Sequence, residues 1–329
     1  VRTIMKTLAL TGMAAFTLNK INQQIERRSK EWNPTHFDEL YFYPWHAGHI
    51  AYHVKGKGKP LLLVHGVGAG SSSYEWRKNI DELSNHYQVY SIDLLGFGLS
   101  DKPKISYSAQ IYVDLLTDFI RDVIKRPTSI LASGISAGFV IQLAAQDASS
   151  LEQMILICPS GLELEEEHQQ QNEMYAAFLK NLALQVPILN QSLYYLISSK
   201  INIRQFLKEF IYHHQENLTE DIVEQYYLAA HRGGNYAGEA TQAFLRGKLD
   251  VPIQSEWSEL TMPTLVLWGR HAKLLPVHYA NRFKHLNPRS ELHIFENSGL
   301  LPHDEEAYQF HSICLSFLQK NSDQSLYLQ

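Results

Sequence analysis

Gly134-Ile135-Ser136-Ala137-Gly138 sets a serine between two glycines at the junction of two unlike segments. Leu131-Ala132-Ser133 closes an apolar, strand-like run, and Phe139 to Ala144 opens a helix-like one. Ser136 is therefore expected on a tight strand-to-helix turn, which the flanking glycines make sterically feasible. A hydroxyl presented in this way can attack a carbonyl carbon, provided that a neighbouring base takes its proton. On this reading Ser136 is the candidate nucleophile.

The elements that must hold it alternate between strand and helix signals, the pattern of a mostly parallel central sheet flanked by helices. Strands are expected at residues 41–45, 49–54, 61–64, 88–93, 128–133, 154–158, 263–269 and 291–295. Helices are expected at 74–87, 107–125, 277–286 and 305–318. Tyr112, Leu115, Leu116, Phe119 and Ile120 recur at three- and four-residue spacing, the stripe of a helix that covers a sheet. After Cys158 the rhythm breaks for about a hundred residues, and helical periods appear at 175–184, 203–212 and 220–230. The organisation this predicts is a core over 36–161 and 261–320, an inserted helical cap over 162–260, an N-terminal segment over 1–35 and a tail over 321–329.

The chain has 329 residues, 45% of them hydrophobic, enough for one large α/β domain with an insertion. A formal net charge of −5 gives no basic surface for nucleic acid, so no nucleic-acid partner is expected. Cys158 and Cys314 follow no metal-binding or disulfide spacing and lie in apolar runs, as buried, inert thiols do. Sixteen histidines include no close ligand pattern, so neither a metal nor an organic cofactor is implied. Thr7 to Leu18 is largely apolar, and Arg2, Lys6, Lys20, Arg27, Arg28 and Lys30 surround it. That run is short of the roughly 20 residues of a spanning helix. Residues 1–30 are read as an interfacial membrane anchor, with a helix packed on its own domain and a cleaved signal as alternatives. The compartment stays open between membrane-associated and cytoplasmic.

Four landmarks in order resemble the α/β-hydrolase superfamily over roughly Phe37 to Gln319. They are His65-Gly66-Val67-Gly68, the segment Asp93 to Asp101, the Ser136 turn, and Leu267-Trp268-Gly269. The resemblance implies an oxyanion hole formed by the backbone N–H groups of Val67 and Ala137, and structural roles for Asp93 and Asp101. It also implies an acid three residues after Trp268-Gly269 and a histidine in a later G-H-x-P string. Here those positions carry Ala272 and Leu300, which can neither accept nor relay a proton. His271 or His303 is the candidate substitute base, with Glu163 and Glu305 as candidate acids, if a base comes within hydrogen-bond reach of Ser136.

Two functions are compatible with these residues. One is an enzyme of the carboxylic ester hydrolase class, acting on an apolar ester or carbonyl compound through Ser136. The other is a non-hydrolytic protein that keeps the fold as a pocket for an apolar ligand such as a lipid or pigment. Aromatic and aliphatic residues of the 162–260 block, Tyr175, Phe178, Tyr194, Phe206 and Tyr226 among them, would roof either pocket.

Overall fold

Apolar runs without polar interruption need cover on both faces, and they form the middle of one eight-stranded sheet. The computed structural model describes residues 24–29, 31–32, 39–162, 194–195 and 197–326. Its strands are β1 (Leu40–Trp45), β2 (Gly48–Lys55), β3 (Pro60–Val64), β4 (Gln88–Ile92), β5 (Thr128–Ser133), β6 (Leu151–Ile157), β7 (Thr264–Gly269) and β8 (Glu291–Phe295). Every residue of β3, β5 and β7 is buried. The order is β1-β2-β4-β3-β5-β6-β7-β8, antiparallel where β2 meets β1 and β4 and parallel elsewhere. The expected mostly parallel α/β architecture is the one observed.

The helices are α1 (Ile80–Ser84), α2 (Ala109–Phe119), α3 (Ser136–Gln146), α4 (Lys200–Phe206), α5 (Glu220–His231), α6 (Glu239–Leu245), α7 (Gln254–Glu259), α8 (His278–Leu286), α9 (Pro302–Glu305) and α10 (Ala307–Leu326). The stripe on α2 buries Tyr112, Leu115, Leu116 and Phe119, and the Tyr112 ring stacks on Phe139 of α3 at 5.0 Å. Two expectations change. The helix expected over 74–87 divides into a 3-10 turn, Ser73–Trp76, and the short α1. Ser73, Tyr74, Glu75 and Trp76 are all buried, which a helix with one solvent face cannot deliver. The helix expected over 305–318 begins as α9 and, after Glu306, resumes as α10, which runs to Leu326, inside the expected tail.

Between β6 and β7 the regular elements among the described residues are helical. Ile203, Leu207, Ile211, Ile222, Val223 and Tyr226 from this region form a second apolar cluster with Tyr74, Leu274 and Leu301 of the sheet-side loops. Residues 163–193, which include Glu163, Tyr175 and Phe178, lie outside the described residues. So do residues 1–23, where the anchor is expected. The segment that follows them is fastened to α5: Ser29 Oγ donates to the His231 carbonyl at 2.9 Å and Trp32 Nε1 to Gln225 at 2.7 Å. Among the described residues no helix is long and apolar enough to cross a membrane.

Candidate functional site

Strand β3 lies between β4 and β5, so the connections from its end and from the end of β5 diverge. That switch point, outside the carboxyl ends of parallel strands, is where open α/β sheets place ligands. Pairing of β3 with β5 ends at Val64 and Ala132, after which the two loops leave side by side. A Cβ on Gly66 would stand 3.6 Å from Ser133 Oγ. The loop from Gly66 to Gly70 is covered by α5: a Cβ on Gly70 would lie 2.1 Å from the Tyr226 carbonyl oxygen, so backbone packs directly on backbone there.

The turn out of β5 is not centred where the motif suggests. Gly134 takes the positive φ, at 59°, while Ile135 is already right-handed helical at φ −64° and Ser136 begins α3. Ser136 is wholly buried, and its Oγ donates to the His65 carbonyl at 2.7 Å. The expectation that Ser136 occupies the bend is thus corrected by two residues. The missed signal is that Gly134, directly after the last strand residue, is the one residue of the turn able to adopt positive φ without penalty.

The donors expected to flank a developing oxyanion separate in the same way. The N–H of Ala137 is engaged with the Gly134 carbonyl at 3.2 Å, as part of the first turn of α3. The N–H groups of Val67 and Ile135 have no acceptor among the described residues. His65 is held as its Nδ1–H tautomer: Nδ1 faces the Gly66 carbonyl at 2.6 Å and Nε2 accepts the Leu94 N–H at 3.1 Å. Its free lone pair is therefore consumed.

Neither candidate base is paired with Ser136. His303 is wholly buried, its ring 4.7 Å from that of Trp76 and its Nε2 3.2 Å from Oε1 of Glu75. Glu75, which the motif reading overlooked, accepts the Gly66 N–H at 3.0 Å on its other oxygen. Burial would raise the Glu75 pKa, but His303, together with the Gly66 N–H, outweighs it and holds the carboxyl below its ordinary value. His271 lies on the surface, stacked on His213 with ring centroids 3.7 Å apart. Glu305 is committed to backbone, accepting the N–H groups of His213, His214 and Gly299 at 2.9, 2.8 and 2.7 Å. Asp93 and Asp101 likewise shape turns: Asp93 accepts from Ser73 and Leu99, and Asp101 from His49.

Ala272 is buried in the sheet core after β7, and Leu300, after β8, packs against both apolar clusters. The two loops touch, since a Cβ on Gly269 would lie 1.8 Å from the Gly299 carbonyl oxygen. Cys158 and Cys314 are buried free thiols, and burial pushes Cys158 up to about 12. Among the described residues no group of three or more His, Cys, Asp or Glu side chains is placed to hold a metal ion.

Comparison with known proteins adds a lineage. Residues 61–311 match the model described as the Alpha/beta hydrolase family. The 2-hydroxy-6-oxo-6-(2'-aminophenyl)hexa-2,4-dienoic acid hydrolase of Metapseudomonas resinovorans is 27% identical over 279 residues, covering 82% of this chain and 87% of that protein. The 2-hydroxymuconate semialdehyde hydrolase of Pseudomonas sp. strain CF600 is 24% identical, covering 81% and 89%. A solved structure of a serine-to-alanine mutant of the meta-cleavage product hydrolase from Pseudomonas fluorescens IP01, complexed with acetates, superimposes with a TM-score of 0.71 at 22% identity, covering 87% of this chain and 99% of that one. At that identity the superposition speaks for the fold.

Proposed function

The chain belongs to the alpha/beta hydrolase family, and we propose that within it this protein holds a small apolar compound at the β3/β5 switch point without hydrolysing it. The observation that carries this reading is the state of Ser136: a buried hydroxyl inside α3, its proton given to the His65 carbonyl. A serine becomes a useful nucleophile only when a positioned base accepts that proton. The positions that would supply acid and base by family resemblance hold Ala272 and Leu300, a methyl and an isobutyl group. His303 lies against Glu75, Nε2 3.2 Å from Oε1, and is enclosed by Trp76 and Phe310. Losing members of a working triad costs several powers of ten and leaves a residue of roughly 10³ to 10⁴ over water.

The ligand class is drawn from the lineage and from the apolar side chains of the sheet-side loops. Relatives named for oxo-dienoic acids and a muconate semialdehyde suggest a flat, conjugated or aromatic body with a carbonyl or carboxylate end. Apolar Leu300 and the Tyr74–Leu301 cluster suit the body, and unpaired N–H groups suit the oxygen. The test measures turnover of short and medium-chain nitrophenyl esters by the wild type and by Ser136→Ala, beside a titration with cinnamate followed by tryptophan fluorescence. Equal background rates with saturable cinnamate binding support the reading. Serine-dependent turnover overturns it.

A further inference from the structure

We infer that Gly134, not Ser136, stands where a nucleophile of this fold would stand, and that a ligand's carbonyl or carboxylate oxygen lies over it against the N–H groups of Val67 and Ile135. The inference deepens the non-hydrolytic reading and rests on it for the presence of a ligand. Its own content is positional.

Four observations converge. A nucleophile carried between a strand and a helix sits on the sharp, strained bend, with the N–H of the next residue serving as an oxyanion donor. In this turn the positive φ belongs to Gly134, and the next N–H is that of Ile135. Ile135 and Val67 each have an N–H without an acceptor among the described residues, whereas the Ala137 N–H is spent inside α3. A Cβ built on Gly134 would meet nothing within 4 Å, so a side chain there would project into open space. Finally, Gly134 is partly exposed while Ser136 is wholly buried. With Ala272 and Leu300, Gly134 completes a set of three positions at which no side chain can take up or release a proton.

The arrangement is that of a pocket from which the reacting groups are missing while the groups that polarise an oxygen are kept. Backbone donors in a dry site bind a carbonyl or carboxylate oxygen whether or not anything attacks it. Glycine makes room for that oxygen, or for an atom attached to it, in the volume a serine hydroxymethyl would fill.

The experiment restores the missing groups at the inferred positions. The variant Gly134→Ser/Ala272→Asp/Leu300→His is compared with Ala272→Asp/Leu300→His, in which Ser136 is the serine of the turn. Both are treated with a fluorophosphonate: a serine oxygen bonds to phosphorus, fluoride leaves, and the hydroxyl proton passes to the introduced imidazole. The triple variant should label at least about 100-fold faster than the double, with the adduct mapped by mass spectrometry to position 134 and unaffected by Ser136→Ala. Labelling of the double variant at Ser136, or a folded triple variant that stays unlabelled, overturns the inference.

A serine at positive φ is strained, so a second measurement does not depend on the triple variant. Single Gly134→Cys and Ser136→Cys proteins are exposed to iodoacetamide, against the background of the two buried native thiols. The cysteine at 134 should be alkylated at least about tenfold faster than the one at 136; equal or reversed rates overturn the assignment. Ester turnover by the wild type would instead strike the non-hydrolytic reading, so the two failures are distinguishable.

Discussion

Two faces of the Gly66 loop differ in their use of charge. Under the proposed reading the ligand meets the front of this loop, where the positions that would react, Gly134, Ala272 and Leu300, include no titratable group. Behind the loop, His303 meets Glu75, and the buried Asp304 carboxylate receives Arg77 and Lys78 at 2.6 and 2.8 Å and the Tyr212 hydroxyl. Burial would raise the Asp304 pKa, yet its cationic partners and Tyr212 hold it below the ordinary carboxylate value. Buried charge is tolerated only when paired, and here the pairs fasten loops to one another. Under the proposed reading, ionic groups persist where they fix geometry and are absent where they would react.

The sharpest way to break this contrast is to disturb the rear. Asp304→Ala leaves Arg77 buried without its carboxylate and should cost about 3–5 kcal/mol in urea unfolding, with Asp304→Asn intermediate. An unchanged midpoint would mean that the pair is not a fastener.

Next in size is an acid effect from α5. Burial lowers His231 from its ordinary 6.5 to about 4, so the folded protein keeps this ring neutral. The unfolded chain takes up a proton first as pH drops below 6.5, and stability falls until the folded form also titrates near 4. The loss across that window is up to about 3 kcal/mol. Chemical denaturation between pH 7 and 4 should show it, and His231→Phe should flatten this part of the profile.

The front should respond by function more than by stability. Gly134→Ala forces a left-handed backbone at about 1–2 kcal/mol, although its methyl has space. It should weaken cinnamate binding roughly tenfold, equivalent to about 1.4 kcal/mol. Ser136→Ala, by contrast, removes one hydrogen bond, costs about 1 kcal/mol in the thermal melt and leaves cinnamate affinity unchanged. Inverting these two binding results would restore Ser136 to the site.

Sheet and lineage were legible because burial on both faces writes itself as uninterrupted apolar runs, as at Leu61 to Val64 and Met154 to Cys158. The centre of the site was less legible. A glycine-serine-glycine pattern names the residues of a turn but not which of them bends, and here strand pairing carries β5 through Ser133, which puts Gly134 at the bend. Glu75 escaped notice because its neighbours read as one amphipathic helix, whereas the chain there passes between two apolar clusters. The position of His303 in sequence could not show that its ring turns towards Trp76.

The contacts of Arg28, Ser29 and Trp32 with α5 tie the leading segment to a helix that also backs the site loop. Arg28 meets Glu224, Trp32 meets Gln225 and Ser29 meets the His231 carbonyl, while Tyr226, on the same helix, rests on Gly70. The leading segment and the Gly66 to Gly70 loop thus share one support, so a substitution that loosens α5 removes backing from both at once.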